Sequence, residues 1–263
     1  MSVSVTDDAT RGPADGATQV VRVTLDEPKR RNPLSLHTMR ELIAVLVAID
    51  ASPARVVVLT GNGPAFSAGH DLGEIAGLER DAEYTELFDT CVELMRTIHR
   101  IAQPVIARVH GVATAAGCQL VAGSDLAVAA DTARFATPGV NIGLFCSTPM
   151  VPLTRAVGRK RSMEMLLTGE MIDAHTALEW GLVNQVVPEA ELDEAVARLA
   201  GRIAQASREV VALGKRAFWE QLEVGESDAY ALTAPVMVRN ALLDDAREGI
   251  DAFLHKRSPN WKS

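Results

Sequence analysis

Apolar residues fall along this chain in two rhythms. VVRVTL, Val20 to Leu25, alternates β-branched positions as a strand does. The polar, basic turn EPKRRNP follows, after which Ser35 stands where it can cap a helix carrying Met39, Leu42, Ile43, Leu46 and Ile49 on one side. RVVVLTG (Arg55 to Gly61) and PVIARVHG (Pro104 to Gly111) are short apolar runs stopped by glycine, which suits strands of a sheet buried on both faces. Between them lies GNGPAFSAGHDLGEI, which has no simple period. A helix is then predicted from about Ala82 to Ile101, with Leu87, Cys91, Leu94, Met95 and Ile98 as its apolar face. VATAAGCQLVAG is compatible with a helix and precedes another strand, DLAVAAD.

Past Gly158 the pattern becomes mainly helical, through MEMLLTG, AHTALEWG, ELDEAVARLAGRIAQ and the run from Tyr230 to Lys256, interrupted by a small strand in LVNQVV. Strand and helix thus alternate in the first part, the mark of an α/β core with crossover helices. The expected organisation is a flexible lead over residues 1–18, a core over 19–200 and a helical region over 201–263. No clean internal repeat stands out, although two strand-glycine-helix units look loosely alike.

Composition sharpens this picture. Apolar residues make up 48% of the 263 positions and aromatic ones only 4%, so the core is aliphatic. Against 26 Lys and Arg stand 34 Asp and Glu, a net charge of −8 that argues against a nucleic-acid partner. A small anionic ligand remains compatible, because a few local cations suffice to hold a phosphate. Cys91, Cys118 and Cys146 lack the spacing of a metal knuckle or a disulfide scaffold and fit a reducing compartment. No apolar run is long enough to span a membrane, and the acidic, turn-rich start MSVSVTDDATRGPADGATQ does not read as a signal segment. A cytoplasmic location is expected. GxGxxG after the first strand, a P-loop, HExxH, SxxK and GxSxG are all absent.

Two segments ask for special backbone geometry. In Phe66-Ser-Ala-Gly-His-Asp-Leu72, Gly69 permits a turn closed to larger residues, which leaves the His70 amide free to point into a cleft. In Gly111-Val-Ala-Thr-Ala-Ala-Gly-Cys-Gln-Leu120, small side chains let a ligand approach amides at a helix start. Read alone, the first is equally a strand-to-helix loop without ligand and the second a tight helix contact. Two converging amides would form an oxyanion hole, in which one donor is commonly worth about 3 kcal/mol of transition-state stabilisation.

GPAFSAGHDLGEI, HGVATAAGCQLVAGSDLAVAADTARFATP, TGEMIDAHTALEWGLVNQVVP and GIDAFLHKR occur in this order and together resemble the enoyl-CoA hydratase/isomerase, or crotonase, family over roughly Val20 to Trp261. GHDL, ATAAGCQL and FATPGVNIGLFCSTP are similar to its domain-containing protein 3 subgroup. The resemblance implies an α/β fold: a spiral of ββα units with two roughly perpendicular sheets and a helical C-terminal region, assembled as a trimer or a dimer of trimers. It implies an acyl-CoA thioester as substrate, with coenzyme A part of that substrate and no covalently held cofactor or metal, and hydratase (lyase) or isomerase activity in fatty acid metabolism. The family's oxyanion amides fall on His70 and Ala116, and its two catalytic glutamates fall on Gln119 and Gly139. Neither of these two can move a proton, so the usual two-carboxylate addition of water is absent. Open alternatives are a non-catalytic acyl-CoA-binding or regulatory protein, and an isomerase or hydrolase using other groups.

Several nearby residues are candidate substitutes. The His70 imidazole can titrate near neutrality or merely pack. Cys118 and Cys146 are nucleophile candidates without a histidine partner and read better as core residues. Asn141, Ser147 and Thr148 are candidates to orient substrate or water, and Glu74 suits a helix start. For the coenzyme, the resemblance points to Lys29, Arg30 and Arg31, to Ser67, Ala68, His70 and Leu72, and to Phe253 and Lys256, the last two often supplied by a neighbouring subunit.

Overall fold

In the computed structural model, which describes residues 2–8 and 20–263, the apolar runs become the inner strands of one sheet. The chain opens with β1 (Val3–Asp8), β2 (Val20–Leu25), β3 (Pro33–Leu34) and α1 (Leu36–Asp50). Then come β4 (Val56–Gly61), β5 (Ala65–Ser67), β6 (Gly69–His70), α2 (Leu72–Ala76) and α3 (Asp81–Arg100). β7 (Val105–Val109), β8 (Val112–Thr114), α4 (Ala116–Gly123), β9 (Leu126–Ala130) and β10 (Arg134–Ala136) complete the middle third. The last part holds α5 (Met150–Val157), α6 (Arg159–Thr168), β11 (Ile172–Asp173), α7 (Ala174–Trp180), β12 (Gln185–Val187), α8 (Leu192–Ala204), α9 (Arg208–Gln221), α10 (Glu226–Leu242) and α11 (Asp244–Leu254).

The six-stranded sheet has the order β1-β2-β4-β7-β9-β12, parallel except for β1 against β2. A four-stranded sheet has the order β11-β10-β8-β5, and β3 pairs with β6. Successive turns of chain therefore place β4, β7 and β9 side by side in one sheet and β5, β8 and β10 side by side in the other. This is the repeat that the sequence only hinted at.

Strand periodicity explains why the inner strands read as unbroken apolar runs. Val57, Leu59, Val105 and Ala107 face the main core, while Val56, Val58, Ile106 and Val128 face a second cluster built with Leu192, Ala195, Val196 and Ala200 of α8. Burying each such Val or Leu contributes about 1.5–3 kcal/mol. Ser35 caps α1 by accepting a hydrogen bond from the Thr38 amide, as its position suggested.

Three expectations need correction. Val3–Asp8, assigned to a flexible lead, pairs antiparallel with β2 in the register Val3 to Leu25; residues 1 and 9–18 of that lead lie outside the described residues. The boundary at 200/201 falls inside α8, whose apolar face is already part of the sheet packing, so the separate helical part begins at α9. VATAAGCQLVAG is a strand followed by a helix, because Val112–Thr114 pairs in parallel with both β5 and β10.

Candidate functional site

The two glycine segments meet. Gly69 has φ +91°, and a Cβ there would lie 2.9 Å from the Ala115 Cβ, 2.9 Å from the Thr114 carbonyl oxygen and 3.1 Å from the Ala116 nitrogen. On the other side, a Cβ at Gly117 would lie 2.3 Å from the Ser67 carbonyl oxygen. The backbone of residues 67–69 thus packs directly on the start of α4, a closeness that only glycine at both positions permits. Ala115 itself adopts φ 50°, ψ −119°, a costly conformation for a residue with a Cβ, and its amide donates to the Ala136 carbonyl at 2.9 Å. The first amides of α4, at the positive end of its dipole, therefore open beside the peptide that leads into His70.

Asn32 holds this junction from behind, a role that the sequence reading missed. It is buried with φ 54°; its side-chain nitrogen donates to the carbonyls of Ala65 at 2.8 Å and Asn62 at 2.9 Å, and its oxygen accepts from the Glu27 amide at 2.9 Å. An Asn just before a Pro in a charged turn was the available signal, since Asn tolerates left-handed backbone and bonds to nearby main chain. Ser67 donates its hydroxyl to the Asn32 carbonyl at 2.8 Å, the Ala68 amide donates to the Arg31 carbonyl at 2.9 Å, and the Thr114 hydroxyl donates to the Ala68 carbonyl at 3.0 Å.

These bonds bring the basic turn to the glycine junction. Arg30 pairs with Asp71 at 2.5 Å and with Glu27 at 3.3 Å, while Asp71 also caps α2 by accepting from the Gly73 and Glu74 amides. Lys29 and Arg31 are exposed and make no ion pair among the described residues. Leu72 is exposed beside them. Lys29 to Arg31 and Ser67 to Leu72 thus form one cluster. Phe253 is 83% exposed and Lys256 follows at the end of α11; within the chain, no hydrogen bond or ion pair joins their side chains to that cluster among the described residues.

His70 has a partner for one ring nitrogen only. Its Nδ1 lies 3.2 Å from the Leu34 carbonyl oxygen, which makes Nδ1 the protonated nitrogen, and Nε2 is buried without a partner. The ring stands edge-on to Phe88 with centroids 5.6 Å apart. Burial lowers its pKa below the ordinary 6.5, so the ring is neutral at pH 7.

Gln119 is buried on α4, one turn beyond Ala116, and its Oε1 lies 3.7 Å from the Cys91 sulfur, which donates to it. Gly139 is buried in a turn, where a Cβ would lie 2.0 Å from the Leu144 carbonyl oxygen. Glu74 stands in the first turn of α2 and accepts a hydrogen bond at 3.0 Å from the Leu36 amide at the start of α1. Burial pushes the Cys91 and Cys118 thiols up to about 12 and raises that of Cys146, so all three are core thiols rather than nucleophiles. Ser147 makes only a local bond to the Phe145 carbonyl, and the Asn141 side chain packs against Gly169. Among the described residues no group of three His, Cys, Asp or Glu is gathered as a metal centre would be, and no helix is long and apolar enough to cross a membrane.

From Gln119 a cleft of about 760 Å³ extends between α3, α4, α5 and α9, with Thr148 on its wall. His99 and Trp219 stack within it, centroids 3.6 Å apart and planes 9° apart.

Comparison with known proteins decides what this junction belongs to. The family model described as enoyl-CoA hydratase/isomerase matches residues 15–263. The chain belongs to the enoyl-CoA hydratase/isomerase family. Within it, the chain is closely related to the enoyl-CoA hydratase domain-containing protein 3 subgroup: it is 50% identical to the rat mitochondrial protein of that name over 240 residues, 91% of this chain and 80% of the relative. The human member's crystal structure superposes with a TM-score of 0.93 at 46% identity, covering 99% of this chain and all of that one. A Mycobacterium smegmatis enoyl-CoA hydratase structure gives 0.94 at 43% identity, with both chains fully covered. The α/β crotonase fold is therefore established, and with it an acyl-CoA thioester as the class of substrate. The cytoplasmic expectation is overturned: the rat protein and its human, mouse, Xenopus laevis and zebrafish counterparts are all named mitochondrial. The acidic N-terminal stretch carried no usable signal on this point.

Proposed function

We propose that this crotonase-family chain binds an acyl-CoA thioester and polarises its carbonyl with the amides of His70 and Ala116, without the two-carboxylate addition of water. One observation carries this reading: Gly69 at φ +91° lies so close to Ala115 and Ala116 that the peptide entering His70 and the first amide of α4 share one site. Backbone N–H groups are all that an oxyanion hole requires, so Ala116 serves as well as glycine. Polarisation acidifies the α-carbon. Gln119 can hydrogen-bond substrate or a water there but cannot take a proton, and Gly139 offers no side chain. The label enoyl-CoA hydratase-like thus describes the scaffold and its substrate class better than ordinary hydratase turnover.

Lys29 and Arg31 supply exposed positive charge for the phosphates of the coenzyme, while Arg30, tied to Asp71, fixes the turn that presents them. The backbone of Ser67 to His70 and the Leu72 side chain line the slot beyond. Phe253 and Lys256 reach this slot from a second copy in a homo-oligomer, a trimer or a dimer of trimers, which accounts for the exposed Tyr230, Met237, Val238 and Leu242 along α10.

Calorimetry with butyryl-CoA and a crotonyl-CoA hydration assay on the same protein test this. Binding is expected to fall at least tenfold in Gly69→Val, with hydration by the wild type slower than that of a two-glutamate hydratase by about 10²-fold or more. Hydration at the full rate of such an enzyme removes the proposal, as does failure to bind the thioester. A sedimentation mass of one chain removes the oligomer.

A further inference from the structure

We propose that Asn32 is a positioning residue for the polarising site: it holds the carbonyls of Arg31 and Asn32 against residues 67–69 and so sets the direction of the His70 amide. This rests on the amide-pair reading above and names what keeps that pair aimed.

Backbone strain marks the place. Among the described residues, non-glycine backbone takes positive φ at Arg31 (62°), Asn32 (54°), Ala115 (50°) and Lys256 (54°), and the first three border the junction of Gly69 with α4. Such residues persist only where their surroundings over-determine them, and they gather at working sites. Asn32 also precedes Pro33, whose ring steers the residue before it toward extended backbone. Its left-handed φ is therefore held against two local preferences.

The side chain supplies the hold. Besides the bonds to the Ala65 and Asn62 carbonyls, its nitrogen donates to the Phe66 carbonyl at 3.3 Å, while its oxygen accepts from the Glu27 amide and the Asn32 amide donates to the Glu27 carbonyl at 3.1 Å. Asn is the residue with a Cβ that best tolerates left-handed backbone, and here both ends of its amide are engaged where water is absent.

What it holds is the approach to His70. The Asn32 carbonyl accepts from the Ser67 hydroxyl at 2.8 Å, and that hydroxyl oxygen in turn accepts from the Gly69 amide at 3.2 Å. The Arg31 carbonyl accepts from the Ala68 amide at 2.9 Å, and Thr114 holds the Ala68 carbonyl from the other side. Both peptide groups between Ser67 and Gly69 are thus tied, and Pro33 and Leu34 then pair with Gly69 and His70. The next N–H along the chain is that of His70. A hydrogen bond weakens steeply once its donor turns away from the acceptor, so a residue that never touches the thioester decides how strongly the carbonyl is polarised.

The test follows the carbonyl resonance of butyryl-CoA labelled with carbon-13 at that carbon and bound at saturation to the full chain, with calorimetric affinities and urea midpoints on the same samples. Polarisation moves the wild-type complex downfield of the free thioester. Asn32→Gly keeps the left-handed backbone but removes the side-chain anchors, and is expected to reduce that downfield shift by about half, as loss of aim in one of two donors implies. Ser67→Ala cuts the link from the Asn32 carbonyl to the Gly69 amide and should reduce the shift in the same direction even if Asn32→Gly folds poorly. Full shifts in the saturated complexes of the folded variants, with only the urea midpoint lowered, overturn the positioning role and leave the amide-pair reading standing. A wild-type complex that forms without a downfield shift removes the amide-pair reading and this inference with it. Failure of butyryl-CoA to bind removes the acyl-CoA reading as well.

Discussion

Gly139 is closed to a side chain by backbone, not only emptied of a carboxylate. The Leu144 amide donates to the Gly139 carbonyl at 2.9 Å, and this turn carries the Leu144 carbonyl into the space that a Cβ would need, with the Cys146 sulfur 2.9 Å away on another side. Backbone cannot swing aside as a flexible side chain can, so even a methyl group forces the turn open. Gly139→Ala is expected to lower the unfolding free energy by about 2–3 kcal/mol, read from urea denaturation with an unchanged m-value. Stability equal to wild type would mean that the 140–146 loop shifts freely. Gln119, by contrast, already has a side chain of glutamate's size. Both residue types were legible in the sequence, and so was the loss of carboxylates. The closure at Gly139 was not, because it depends on a carbonyl five residues on returning over the turn. Asn32 and the Ala115 conformation were hidden for a similar reason: each answers to groups that only folding brings near.

At the scale of elements, α9 is fastened to the core by one buried cation. Lys215 Nζ donates to the carbonyls of Ile98 at 2.7 Å and Gln103 at 2.8 Å and pairs with Asp125 at 2.7 Å; Asp125 in turn accepts from the Val105 amide at 2.7 Å and from Trp219 of the same helix. Every proton of the ammonium thus has an acceptor where water is scarce, which offsets the cost of burying the charge. Removing one partner leaves Asp125 in a half-dry site with one cation fewer and two carbonyls unpaired. Lys215→Met is expected to cost about 3–5 kcal/mol in chemical denaturation and to raise proteolysis in α9. A loss below 1 kcal/mol would show that α9 is held by its apolar contacts. Long elements such as α1 and α3 were legible because many residues repeat their period. β5, β6, β8 and β10 have two or three residues each, too few for any period, and exist because a partner strand arrives from far along the chain. The cleft was illegible likewise, since His99 and Trp219 meet only when α9 folds back.

For the whole molecule, three histidines set how stability responds to acid. His70, His99 and His110 are each held below the ordinary 6.5, in every case first by burial, against opposing hydrogen bonds to the carbonyls of Leu34, Gly123 and Gly63. A lowered folded pKa means that the unfolded chain takes up these protons first, so stability is complete above about pH 6.5 and declines as the pH falls toward the folded values. The carboxylates act in a separate, lower window. Glu83 and Glu248 are lowered from 4.5 to about 2 by Arg80 and Arg257, yet both sit partly exposed at the surface, where ion pairs contribute little. The first loss of stability on acidification should therefore begin just below pH 6.5, well before the acids titrate. Urea midpoints measured from pH 8 to pH 4 should be flat down to about 6.5 and then fall. His99→Gln can keep a donor near the Gly123 carbonyl without a titrating ring, so it should flatten part of that fall. A midpoint that stays level until pH 4.5 would assign the acid response to carboxylates and leave the three buried imidazoles without a thermodynamic signature.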